Sequence, residues 1–587
     1  MAKTSVLSRP LPNASQPRNT FDRSFFKNLN WSAGMLLPVF CQFVPAGSKG
    51  VINRSIFMRT NAVNTAAFPQ MDTHIDFYKV PLKLLMTRYG EFKTNTSDAN
   101  SSSLVAGGLS APPSTMPWFN LGSLYSQYFG ANNTSVDECG FLVREQSKRL
   151  IDLLGYNASA LYLGTTSSTA LANMNMQSFR LQAYQKVYYD HYRNTAYEAN
   201  DPMAYNADAL YTGGSNNGEY GLNDFAKLMR LHYVNYRKDF FMNMYPALNY
   251  VVTNPSGLQW TLPSTVVDAN TTTNTQSWYV SNGVGGQSYQ SASLIQGNAN
   301  FANTTPPAIQ RISTQNIRAM FALDKLMRLS AYAPKHVKDQ MEARFGVKVS
   351  NEASYESQYL GSFKNDIVIG EVTATAAGSS SIQGGVTGDT YLGQIGGRGV
   401  GAEPNGKDIH FEVTGSDNDS IIIGVMYSLA RSVYDSYRVD AFNFKFTRED
   451  IFNPEFMDLG LRPITVKEVY TPTSSSTTLA QLNTILGYVP RDQEYKLGVD
   501  ENHGLFVESS TLSVFTNHTN VNILQRGHTL GTPGVNASFF KISPSDLNGI
   551  FVQDFNAQYQ DTDQFFGKIS FKFVVRQNMS VHGQPRL

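Results

Sequence analysis

The residue types that carry enzymatic or metal chemistry are present, but their spacing does not assemble a site. The 587-residue chain has two cysteines, Cys41 and Cys139, and neither lies in a paired metal-ligand spacing. Its nine histidines are scattered, with no pair at the i, i+4 spacing that puts two imidazoles on one helix face. His191 and His232 read as partly buried helix residues. GGRGVG at 396–401 lacks the glycine spacing of a dinucleotide loop and reads as a flexible turn. Asp417 and Asp419 in GSDNDS could touch Ca²⁺, yet no EF-hand glycine or terminal glutamate follows. A solvated turn is the better reading there, and for Asp561 and Asp563 in QDTDQ as well. GxSxG, HExxH, CxxC and GxxxxGK[ST] are missing, so an enzyme, a resident metal or a cofactor is not expected.

The chemistry on offer is that of surfaces. Charged residues make up 16% of the chain, against about 25% in ordinary soluble domains. Solubility falls to neutral polar runs such as NTSDANSSS and TPTSSSTT. A surface that lies against copies of itself benefits, because few charges need desolvating there. A neutral secreted or glycan-binding protein has the same composition. The net charge of +1 hides a sorted distribution: residues 1–60 carry +7, residues 564–587 carry +4, and the middle is left with −10. Arg9, Arg18, Arg23, Lys27, Lys568, Lys572, Arg576 and Arg586 are therefore candidates for facing a polyanion such as nucleic acid. The competing reading is that they are simply solvated strand-face charges. Candidate subunit-contact anchors are aromatic: Phe25, Phe26, Trp31, Trp118, Phe119, Tyr188 and Tyr189. Core packing competes for each of them, and is preferred for the tyrosines.

Positioning these groups falls to strands at both ends of the chain. Residues 1–34 form a basic amino-terminal arm in which Pro10, Pro12 and Pro17 exclude a regular helix. Strand-like runs follow at 35–44, 50–60 and 73–82, and return at 419–429, 462–470, 510–517 and 568–577. In the last run Ile569, Phe571 and Phe573 alternate with Ser570, Lys572 and Val574, giving one apolar face and one partly basic face. Polar, irregular loops are expected over 93–175 and helices over 178–246. Leu181, Tyr184, Tyr188 and Tyr192 stripe the first helix, and Asn223 could cap a second running to Phe241. A polar insertion at 247–310 precedes helices over 313–346, where Val337, Met341 and Phe345 align and Gly346 supplies the stop. The opening residues lack the apolar stretch of a signal peptide, and no run approaches the 18 apolar residues of a membrane span. One β-sandwich with long insertions, residues 35–587, accounts for the pattern.

Six ordered segments carry a family resemblance. NTFDRSFFKNLNWSAGMLLPVFCQFVPAGSK, continued by IFMRTNAVNTAAFPQMDTHIDFYKVPLKLLM, resembles the opening of microvirus major capsid proteins, especially the gokushovirus-like branch. FRLQAYQKVYYDHYRN, YRKDFF, the region from IRAMFALDKLMRL to SQYLGS, LGYVPRDQEYKLGVDENHGLF and KISFKFVVRQNMSVHGQPRL are similar to family segments in the same order. Asp492 and Gln493 depart from the family's tyrosine and alanine, and Gln577 and Asn578 from its proline-bearing pair.

The resemblance implies a mainly β fold, an eight-stranded antiparallel viral jelly roll with long helical and irregular insertions. It implies sixty copies in a pentamer-based T=1 icosahedral shell around circular single-stranded DNA, assembled in a bacterial host's cytoplasm and residing in the virion. Scaffolding or pilot proteins and a host surface receptor are further implied partners, with no membrane. Residues 247–310 are the candidate three-fold protrusion. Sixty copies would bring about 660 terminal positive charges against about 1,761 phosphates for the chain's own gene, so a small basic DNA-binding protein or polyamines are expected to share the interior. The competing functions are a jelly-roll carbohydrate-binding protein and a receptor-binding spike.

Overall fold

The computed structural model describes residues 18–63, 71–95, 112–124, 135–156, 174–211, 218–246, 336–350, 354–373, 378–382, 386–390, 395–403, 406–469, 477–508, 512–515, 531–551 and 563–581, less 222, 223, 225, 226, 416, 417, 437 and 548, together with six helical positions between 318 and 329. The expected protrusion at 247–310 lies outside them, as do Arg9 and Arg586. The chain forms two compact units, one of residues 1–248, 336–338 and 348–587, the other of 249–335 and 339–347. The described part of the second is chiefly residues 339–345 of a helix, Val337–Phe345, ended by Gly346 at φ +65° as its sequence predicts.

Ten strands of the first unit make one antiparallel sheet: β1 Asn19–Asp22, β2 Phe25–Trp31, β3 Leu37–Val44, β4 Lys49–Val63, β5 Met71–Pro81, β6 Gln358–Thr373, β7 Ile395–Glu403, β8 Ile409–Glu412, β9 Ser420–Ala430 and β10 Phe565–Gln577. Their order is β1–β10–β4–β7–β6–β5–β9–β3, with β2 also on β10 and β8 also on β4. The path has the eight strands expected. The two extra strands arise because the amino-terminal segment breaks into two along β10, and the 395–412 stretch into two along β4.

The sheet closes on itself. β10 and β3 are six steps apart in the order, about 29 Å in a flat sheet. Yet the Phe40 ring of β3 lies 5.3 Å from Phe571 and 5.1 Å from Phe573 of β10. Phe77 and Phe363 extend the same cluster, with Phe77 5.5 Å from Phe40 and 5.7 Å from Phe363. Period-two alternation drives the closure, since Phe565, Ile569, Phe571, Phe573 and Val575 are all buried along β10. Each such side chain contributes about 1.5–3 kcal/mol on burial. The result is a jelly-roll-like β fold with insertions.

Several local expectations are corrected. The arm ends earlier than residue 34, because β1 and β2 are sheet strands and Trp31 is fully buried, its Nε1 donating to Ser428 Oγ at 2.9 Å. The 93–175 stretch contains α1, Val143–Leu154, whose Leu150, Ile151 and Leu154 face the core and whose Gly155 ends it at φ +80°. Helix α2, Phe179–Val187, runs on into a wider turn at Tyr188–Tyr192. The second predicted helix stops at Leu228. The Gln185 amide donates to the carbonyls of Leu228 at 2.9 Å and Arg230 at 2.8 Å, taking acceptors that helix continuation would use. Beyond it the chain is extended, and His232 is buried there outside any helix. GGRGVG is part of β7 rather than a turn. A Cβ on Gly399 would sit 2.6 Å from Thr60 Cγ2, and one on Gly401 2.7 Å from Asn365 Nδ2, so glycine permits the close strand packing. Residues 513–515 form a 3₁₀ turn instead of a strand, and the 462–470 strand gives way to a helical turn at Val466.

Asp419 and Asp563 are not in solvated turns. Asp419 is buried and accepts from Tyr89 Oη at 2.5 Å, Lys93 Nζ at 2.8 Å and the Ala46 N–H at 3.0 Å. Burial alone would raise its pKa, but these donors outweigh it and hold the carboxyl below its usual range. Asp563 is fully buried, accepting from Asn30 Nδ2 at 2.5 Å, Ser32 Oγ at 3.0 Å and Arg149 Nη1 at 2.6 Å. It joins β2, α1 and the start of β10.

Candidate functional site

The two ends of the chain meet on one sheet face. β10 pairs along its length with β4, and on its other edge with β2 over residues 565–571 and β1 over 574–577. Alternation turns Phe566, Lys568, Lys572 and Arg576 outward. Across the ladder, Arg59 stands opposite Phe566, Phe57 opposite Lys568, and Lys49 opposite Arg576. On the other edge Phe26 stands opposite Ser570. Side chains on one face at four-residue intervals are about 13 Å apart along a strand, so Lys568, Lys572 and Arg576 form an evenly spaced row of cations.

Aromatic rings lie between these cations. Lys568 Nζ is 4.6 Å from the centroid of the Phe26 ring, and the Arg59 guanidinium 5.1 Å from that of Phe57. Phe26 is 60% exposed, and Phe57 and Phe566 stand out by more than two-fifths. Arg59, Lys568, Lys572 and Arg576 make no ion pair among the described residues, whereas Lys49 pairs with Glu412 at 2.8 Å. Asp22 is a second acid beside the row, and the Ser24 hydroxyl and N–H hold its carboxyl below its usual range, with Lys572 adding to the effect. Arg18 flanks the face, its Nε donating to Asn578 Oδ1 at 2.9 Å. Exposed rings that stack bases, between cations that meet phosphates, suit an extended single strand without base-edge recognition.

The other expected cations point elsewhere. Arg23 donates to the Phe43 carbonyl at 3.2 Å and to Gln42, and lies over the Phe573 ring. Lys27 Nζ donates to the Leu153 carbonyl at 2.7 Å, capping the last turn of α1, and burial pulls its pKa down. Both share the inward phase of Phe21, Phe25 and Leu29. Arg54 is likewise inward, paired with Glu403 at 2.7 Å. Lys49, Phe57, Arg59 and Phe566 were not among the expected site residues. Their signal was available in the run GVINRSIFMRT, where Phe57 and Arg59 occupy the phase opposite Ile52, Ile56 and Met58.

Of the expected subunit anchors, only Phe26 presents a largely exposed ring. Trp31, Phe119 and Tyr188 are buried within the chain, so they are core rather than docking surface. Phe25 packs at 5.7 Å on Phe40 and 5.3 Å on Phe571. Tyr188 stacks on His232 at 3.5 Å and accepts from Lys541 Nζ at 2.8 Å. Tyr189 packs edge-on against Tyr188 and is half-buried, as is Trp118 in a short ladder with Gln177. Among the described residues no group of three or more His, Cys, Asp or Glu could hold a metal ion, and no helix is long and apolar enough to cross a membrane.

Comparison with known proteins bears on the family. The family model for capsid protein (F protein) matches residues 152–587. Capsid protein VP1 of Chlamydia phage 1 is 21% identical over 576 residues, covering 87% of this chain and 88% of that protein.

Proposed function

Since the chain belongs to the phage capsid protein (F protein) family, whose microvirus members its sequence resembles, we propose that it builds a closed T=1 shell of sixty copies with the basic–aromatic face against single-stranded DNA. Its role is structural, it assembles with copies of itself, and its place is the virion. The lectin and spike readings are not favoured beside this membership.

The observation that carries the DNA contact is the union of the chain's ends on one face. Lys568, Lys572 and Arg576 from the carboxyl end stand beside Lys49 and Arg59 from the amino end, with Phe26, Phe57 and Phe566 between them. The described outward cations number six when Arg18 is included, about 360 for sixty copies. Arg23 and Lys27 serve internal contacts, so the deficit against the genome is larger than charge counting suggests. A small basic DNA-binding protein fills part of it. Scaffolding or pilot proteins, a host receptor and assembly in the host cytoplasm complete the proposed setting, with residues 247–310 as the proposed protrusion.

Negative-stain microscopy of purified protein tests the shell. Closed particles of about 25–30 nm are expected from sixty domains of this size. Small soluble oligomers at every concentration and ionic strength would overturn the proposal.

A further inference from the structure

Away from the sheet face, residues 442–452 raise an apolar ridge into solvent. Phe446 is 83% exposed, and Phe442, Ile451 and Phe452 between 42% and 58%. Tyr495 joins them from the RDQEYK segment, its ring 5.0 Å from Phe442 and 6.0 Å from Phe452. Soluble monomers rarely expose apolar patches of more than a few hundred Å².

The ridge is held in place rather than left loose. The Asp440 carboxylate accepts the Phe442 N–H at 2.8 Å, and Asp450 accepts the N–H groups of Phe446 at 3.1 Å and Thr447 at 2.9 Å. Lys445 lies 5.2 Å from the Phe442 centroid and 4.9 Å from that of Tyr495 while its ammonium pairs with Glu494 at 2.5 Å. Arg491 donates to the Glu449 carbonyl at 3.1 Å from beneath. Rings fixed in this way lose little freedom on contact, which favours association.

Area and charge identify the occupant. At about 200 Å² per aromatic side chain, the four exposed rings offer about 400 Å², half of the about 800 Å² that each side of a standard interface buries. Beside them Arg448 at 90% and Glu449 at 57% side-chain exposure are only loosely paired at 3.4 Å, while the Asp440 and Asp450 carboxylates turn back onto N–H groups of the ridge itself. A patch presenting such a cation and anion next to an apolar centre is complementary to itself under a two-fold rotation. We infer that the ridge is a two-fold contact with a second copy of this chain, ring against ring, with Arg448 of each copy meeting Glu449 of the other. The inference rests on the capsid reading for its partner and deepens it by naming a contact surface.

The test uses the full-length chain in three forms, F446D, R448E and R448E/E449R, with folding checked by circular dichroism and thermal midpoint. Particle yield by velocity sedimentation should fall at least tenfold in F446D and several-fold in R448E. The double exchange should return it to within about twofold of the parent, because a two-fold contact restores both pairs. Parental yield in F446D, or a double exchange no better than R448E, would overturn the inference. If the parent forms no shells, the capsid reading fails by itself. A concentration-dependent dimer lost in F446D would then still support the ridge, and its persistence in F446D would refute it.

Discussion

Replacing Lys568, Lys572 and Arg576 together with alanine should change how nucleic-acid binding responds to salt more than it changes the fold. All three side chains are exposed on β10 and make no ion pair among the described residues, so stability should move by no more than about 0.5 kcal/mol per site. Each phosphate contact on a single strand contributes about −0.7 to the slope of log affinity against log salt concentration. Loss of three contacts should therefore flatten the slope by about 2. From 50 to 200 mM salt, the gap between parent and variant should narrow about twentyfold. Fluorescence anisotropy of a labelled oligothymidylate titrated with soluble subunits reads this directly. F57A/F566A is the companion: it should lose about 1–3 kcal/mol per unstacked base with the slope unchanged. An unaltered slope in the triple variant would place the phosphates elsewhere and refute the assignment of this face.

Three other outcomes follow from the interior. Asp563→Ala leaves Arg149 facing a buried gap and should cost about 3–5 kcal/mol, seen as a lower thermal midpoint and faster protease trimming of β1 and β2. Gly399→Ala should cost about 1–3 kcal/mol by overpacking against Thr60 Cγ2, and Thr60→Ser should recover part of it while keeping the hydroxyl that accepts the Gly399 N–H. Burial, with Arg230 and Lys541 adding to it, holds His232 well below its ordinary pKa of 6.5, so the unfolded chain binds this proton first. Stability should fall by up to about 1.4 kcal/mol per pH unit below pH 6.5 from this group. His232→Gln should flatten that part of a denaturation profile.

How much of this was legible depended on the range of the interactions. The alternation of KISFKFVVRQ predicts both the buried Phe571 and Phe573 and the outward Lys572, because a strand's faces follow from its own sequence. The same rule would have separated Arg23 and Lys27, in phase with Phe25, from the outward cations, where counting charges could not. Asp563 is different: DTDQ looks like a turn, yet its partners lie 414 to 533 residues away. The 231–246 stretch reads as helical until Gln185, from another element, claims the Leu228 and Arg230 carbonyls just before it. The six ordered segments located the family, and the structure gives a local role to a residue at which one of them departs from the family pattern. Gln493 Nε2 donates to the Phe240 carbonyl of YRKDFF, helping fix the turn that carries Tyr495 to the ridge.

A cryo-electron reconstruction of genome-filled particles is the most direct measurement. An icosahedral shell is expected in which β1, β2, β10 and β4 line the cavity, with ordered density over Phe57, Lys568 and Lys572. A shell presenting that face to the outside, or a particle with the face sealed between subunits and no nucleic acid near it, would contradict that expectation.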